Sequence, residues 1–145
     1  MLRNDREHRQ FQERLRDFRE QVESMREQLA AQGLSAADIA QATEPTEALA
    51  RELAYEVELY ERLQTEGLTA VPSFGAAERG KALIALRIAQ GWTQRQLADA
   101  LGVNEAQVSR DERNDYHGVT QERFARILEA LGVEEVSRYQ AARAG

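Results

Sequence analysis

Residues Gln94–Glu112 read QRQLADALGVNEAQVSRDE, and the fold of the C-terminal half follows from this run. Thr93, just upstream, offers a hydroxyl to cap a helix, and Gln96 three residues on completes a capping box. Leu97, Ala98 and Leu101 recur at helical spacing and form the buried face of that helix. Gly102 marks a sharp turn, because a left-handed backbone is cheap only where there is no Cβ. Val103 is expected to plug the corner, and Asn104 caps a second helix carrying Ala106, Val108 and Ser109. Two short helices joined by a three-residue bend are predicted, with Ala98 small because the second helix crosses over it. The outer face of that second helix then stands proud of the surface, where it can enter a DNA major groove.

The flanks complete a domain. Upstream, Leu83, Ile84, Leu86 and Ile88 predict an apolar helix that stops at Gly91, with Ser73 placed to cap its start. Downstream, a helix is expected from about Thr120, with Phe124, Ile127, Leu128 and Leu131 inward and Gly132 at its end. Asn114 is expected to take a left-handed conformation in the loop between. Residues 67–78 (GLTAVPSFGAAE) hold two Gly, one Pro and small side chains, and read as a linker.

The N-terminal half has a different pattern. Phe11, Leu15, Phe18, Val22, Met25 and Leu29 recur every three or four residues, the signature of a helix-packing seam of fewer than three heptads. Gly33 is the expected stop, Ser35 with Asp38 opens a short helical turn, and Thr43 with Pro45 marks a new helix start. Leu49, Leu53, Val57, Tyr60 and Leu63 then share one face before Gly67. Arg14 and Arg19 flank the seam, so a parallel homodimer would oppose like charges. An antiparallel hairpin with the acidic second helix, within one chain or exchanged between two, suits them better.

Composition bounds the rest. The chain has 145 residues, a formal net charge of −6, 42% hydrophobic and 30% charged residues, only two prolines and no cysteine, which favours helix over sheet or disorder. Without cysteine there is no disulfide, thiolate zinc site or cysteine nucleophile. His8 and His117 lie too far apart to suggest a metal pair, so no metal and no cofactor is expected. No apolar run reaches membrane-spanning length. The charged start from Arg3 to Glu7 lacks the apolar core of a signal peptide, which makes a cytoplasmic location the expectation. The charge is unevenly spread: residues 1–30 are neutral, 44–66 carry −5 and 79–133 carry +1. The last segment, near neutral, can approach a phosphate backbone, although without a strong general field.

The run from Gln94 to Glu112 resembles the helix-turn-helix of the XRE family, the Cro and phage-repressor-like regulators. The resemblance covers roughly residues 80–133 and rests on Arg87 four before Gly91, Gln94, Leu97, Ala98, Gly102, Val103, Val108, Ser109, Glu112 and the terminal Ala130-Leu131-Gly132-Val133. It implies a four- to five-helix, lambda-repressor-like domain; preceded by the N-terminal amphipathic hairpin or short coiled coil read from the apolar stripes, this makes an all-α chain. The expected layout is a helical dimerisation or partner region over 1–66, a linker over 67–78, the helix-turn-helix over 79–133 and a tail over 134–145. Asp111 departs from the family pattern, which is usually apolar or aromatic there, and Tyr116 is placed to cover the gap.

By the same resemblance, Glu105, Ala106 and Arg110 reach base edges, with Gln107 and Ser109 beside them. Arg110 suits guanine O6 and N7, Glu105 cytosine N4, and the Ala106 methyl a thymine methyl. Glu105 has an equal claim as an acid stabilising the helix dipole. Thr93, Gln94, Asn104 and Arg113 are assigned to phosphates, and Arg87 with Glu112 to a structural ion pair. Trp92 is read as a core plug, His117 as a surface loop residue and His8 as part of a frayed helix end.

The leading expectation is a DNA-binding transcriptional repressor acting as a dimer on a two-fold double-stranded operator, its seam being Phe11, Leu15, Phe18, Val22, Met25 and Leu29. The alternative is an antitoxin whose acidic N-terminal helices cover a basic toxin while the same domain represses the operon. No nucleophile–base pair or phosphate-cradling glycine loop points to an enzyme. A helix-turn-helix retained only as a protein scaffold is the remaining class.

Overall fold

The computed structural model describes residues 1–143, and among these there are six α-helices and no strand. They are α1 (Asp5–Ala31), α2 (Ala36–Glu66), α3 (Arg79–Ala89), α4 (Gln94–Leu101), α5 (Glu105–Arg113) and α6 (Gln121–Leu131). The chain divides into two compact units, Met1–Pro72 and the part from Ser73 onward. The expected tail at 134–145 carries no regular secondary structure as far as residue 143; residues 144 and 145 lie outside the described residues.

In the first unit α1 and α2 form a hairpin within one chain. The Asn4 side chain caps α1 by accepting from the Glu7 N–H at 2.9 Å. At its other end the Gly33 and Leu34 N–H groups bond back to Ala30 and Leu29, with Gly33 at φ 81°. Ser35 caps α2 through the Asp38 N–H. The expected second start at Thr43 and Pro45 does not occur: α2 runs unbroken for 31 residues with Pro45 inside it. Thr43, fully buried two residues before the proline, donates to the Ile39 carbonyl at 3.0 Å and contacts Glu47 at 2.9 Å.

Leu15 and Val22 are buried in the hairpin, while Phe11, Phe18, Met25 and Leu29 are half-buried. On α2, Val57, Tyr60 and Leu63 are buried, but Leu49 remains exposed. The arginine that bridges the helices is Arg26, which reaches Glu47 at 2.6 Å, rather than Arg14 or Arg19; Arg14 lies over the Phe11 ring. Tyr60 donates to Asp5 at 2.8 Å, and with Gln64 it holds the Asp5 carboxyl below its ordinary range. His8 is not frayed. It is half-buried, stacks on Tyr60 and pairs with Glu61 at 2.9 Å.

In the second unit Leu83, Ile84, Ala85 and Ile88 of α3, Leu97 and Ala98 of α4, Val108 of α5, and Phe124, Ile127 and Leu131 of α6 form the core. Leu101, Val103 and Leu128, expected inward, are half-buried. Ser73 does not cap α3, because a 3₁₀ turn over Ala76–Glu78 intervenes and Glu78 stands at the cap position. Gln90 donates to the Leu131 carbonyl at 2.9 Å, and Arg79 covers the Phe124 ring while pairing with Glu135. The ends of α3 and α6 are thereby joined.

Candidate nucleic-acid interface

The geometry around α4 and α5 begins with two capped N-termini. Thr93 Oγ1 accepts the Gln96 N–H at 3.1 Å, and Gln96 Oε1 accepts the Thr93 N–H at 2.8 Å, closing the capping box. This leaves the Thr93 hydroxyl hydrogen available as a donor. Asn104 Oδ1 accepts the Gln107 N–H at 2.8 Å, so its amide NH₂ is likewise left to donate. Between the helices Gly102 sits at φ 68°, ψ 31°, and the Val103 N–H returns to the Ala98 carbonyl at 3.0 Å. Ala98 is buried where the helices pack, as its small size requires.

A buried ion pair fixes α5 to α3. Arg87 and Glu112 are both almost fully buried and meet through two N–H···O bonds, one of them Nη2 to Oε2 at 2.9 Å. Arg87 Nη1 also donates to the Trp92 carbonyl at 2.6 Å, so Trp92, half-buried rather than a core plug, contributes through its backbone. Such a pair survives burial because each charge has several hydrogen-bond partners. Gln94 joins the cluster: its side chain turns inward and donates to Glu112 Oε2 at 2.7 Å. The Gln94 side chain, expected on a phosphate, is thus engaged with Glu112, while its backbone N–H at the first position of α4 has no acceptor within the helix.

The outer face of α5 presents Glu105, Ala106, Arg110 and Arg113 as exposed side chains, with Gln107 and Ser109 half-buried beside them. Glu105 is the acid in the first turn, where the helix dipole favours it. Arg110 Nη2 donates to Gln107 Oε1 at 2.9 Å, and Gln107 Nε2 donates to Asp111 Oδ1 at 3.0 Å. Asp111 in turn pairs with Arg123 of α6 at 2.6 Å. Arg123 was not singled out in the sequence. The only signal for it was an acid at a position expected to be apolar, which needs a nearby cation.

The loop after α5 corrects one expectation. Asn114 is not left-handed; Asp115 and Tyr116 are, at φ 50° and 51°. Tyr116 is buried, as expected of a residue covering the back of α5. Its hydroxyl has no hydrogen-bond partner, and burial pushes its ionisation well above the usual value. His117 is exposed. Among the described residues no cluster of three or more His, Asp or Glu could hold a metal ion, and no helix is long and apolar enough to cross a membrane.

Residues 83–136 match the model of a helix-turn-helix family. No curated protein and no solved structure gives a significant match. With two capped helices, a left-handed glycine turn, a buried Arg–Glu pair and an exposed second helix face, residues 83–136 of this chain form a helix-turn-helix domain of the XRE family, a DNA-binding fold of transcriptional regulators.

Proposed function

We propose that the chain is a repressor that binds a two-fold operator as a dimer, with α5 in the major groove. The observation that carries this reading is the exposed set Glu105, Ala106 and Arg110 on a helix anchored from behind by Arg87 and Glu112. Arg110 supplies the guanine readout, and Thr93, Asn104, Arg113 and the first N–H groups of α4 hold phosphates. A single module of this size makes few phosphate contacts, so two copies are needed for useful affinity over genomic competitors. The N-terminal hairpin supplies the second contact between chains, and the cytoplasm is its place of work.

The test is selection of bound duplexes from a random library by the full chain. A palindromic consensus with half-sites about one helical turn apart supports the reading. Recovery of unrelated sequences, or no retention at all, contradicts it.

A second reading, an antitoxin, is favoured by α2. Leu49 and Tyr55 are exposed on a helix whose segment 44–66 carries −5, which suits a basic protein partner with apolar anchors. Co-purification of a small basic protein from the native host, released by variants of Leu49 and Tyr55, distinguishes it from a repressor acting alone.

A further inference from the structure

A polar relay runs behind the reading face. Gln107, Arg110 and Asp111 lie three and four residues apart and so share one side of α5. An ionised carboxylate can only accept hydrogen bonds. Asp111 Oδ2 takes an N–H of Arg123, and Oδ1 takes Nε2 of Gln107. The Gln107 amide nitrogen is thus held toward Asp111, and its oxygen faces the other way, where it accepts from Arg110 Nη2. Turning this amide over would set its NH₂ against a guanidinium and its oxygen against a carboxylate. Both contacts are repulsive, so the orientation is fixed by charge.

The far end of the relay is also anchored. Arg123 lies in the first turn of α6, where its N–H is capped by Thr120 Oγ1. The Asp111–Arg123 pair is only partly exposed, which protects it from salt screening better than a surface pair. Arg110, at the near end, is exposed and keeps further N–H donors for a ligand. A guanidinium already held in one plane loses less freedom on meeting a guanine edge.

We propose that Asp111 and Arg123 are positioning residues that orient Gln107 and, through it, Arg110, so that base preference on α5 is set from the α5–α6 junction. The inference rests on the DNA-reading assignment made above. It goes beyond that assignment by giving a specificity role to two residues that touch no base.

The test uses the full chain, the duplex it selects, and single-base variants of that duplex at several salt concentrations. Asp111→Leu removes the acceptor but keeps a side chain that packs. Its preference at the base pair read by Arg110 should fall by about tenfold, with the salt slope unchanged. Asp111→Asn retains an oxygen for Gln107 and should lose less. In an Arg110→Ala background, Asp111→Leu should cost no further affinity for the selected duplex, a non-additivity that general weakening of the domain does not produce.

The proposal is overturned if Asp111→Leu keeps the full preference. Equal loss in both backgrounds overturns it too, as does a uniform fall on all duplexes that tracks a lower melting temperature. If the parent chain selects no duplex, the DNA-reading assignment itself fails, and the relay has nothing to position.

Discussion

Gly80 and Gly102 are both required, for different reasons. A Cβ built on Gly80 would stand 1.8 Å from the Asp115 carbonyl oxygen, so the backbone of the following loop would have to move. Gly80→Ala is expected to cost at least about 1–3 kcal/mol by overpacking, read as a lower thermal midpoint through the single Trp92. Gly102 has open space around it, and only its φ of 68° excludes a side chain. Gly102→Val should cost about 1–3 kcal/mol from backbone strain alone; a melt matching the parent would contradict this. Tyr116 gives a pH prediction. Its folded ionisation lies above the unfolded one, so its contribution is present below pH of about 10 and is lost as pH rises further, because the unfolded state releases the proton first. Tyr116→Phe removes a hydroxyl that has no partner and should leave neutral-pH stability equal or higher while shrinking the alkaline loss. An unchanged alkaline profile would show that another group titrates there. The need for glycine at 102 was legible, because a turn of three residues between two capped helices demands it. The need at 80 was not, since it arises from a loop 35 positions downstream.

At the scale of elements, the capped starts of α4, α5 and α6 were readable because a cap and its target lie three residues apart. What local rules could not decide was Pro45. A proline after Thr43 looks like a first helical position, yet α2 passes through it while packed against α1. Pro45 leaves the Gln41 carbonyl without its helical donor. Pro45→Ala is therefore expected to stabilise the N-terminal unit by up to about 3 kcal/mol and to raise helical signal slightly. A lower melting point would mean that the hairpin depends on the shape proline imposes. The Asp111–Arg123 contact was hidden for a related reason: residues twelve apart meet only once the crossing of α5 and α6 is known. The inward turn of Gln94 likewise depends on Glu112, eighteen residues away.

For the whole molecule, the uneven charge and the change from a heptad seam to short capped helices already separated two regions, and the structure divides the chain at Pro72. Removing residues 1–72 should leave a folded helix-turn-helix unit that binds its site far more weakly, because the proposed second contact is gone. Light scattering should find the full chain dimeric and the truncated one monomeric; equal mass states would remove the hairpin from the assembly. The hairpin consumes Leu15 and Val22 internally, so the proposed dimer would have to use what they leave half-covered or exchange helices between chains, a choice no seam pattern could make. The central claim is that α5 reads bases while the ends of the motif hold the backbone. It is tested most directly by measuring Arg110→Ala and Arg113→Ala, as full chains, on the selected duplex and its single-base variants across salt concentrations. Arg110→Ala should lose ~1–3 kcal/mol on the preferred site and relax preference at one symmetric base pair, and Arg113→Ala should weaken all duplexes alike and flatten the salt slope by roughly one unit per half-site. A uniform loss for Arg110→Ala with base preference intact would contradict the account.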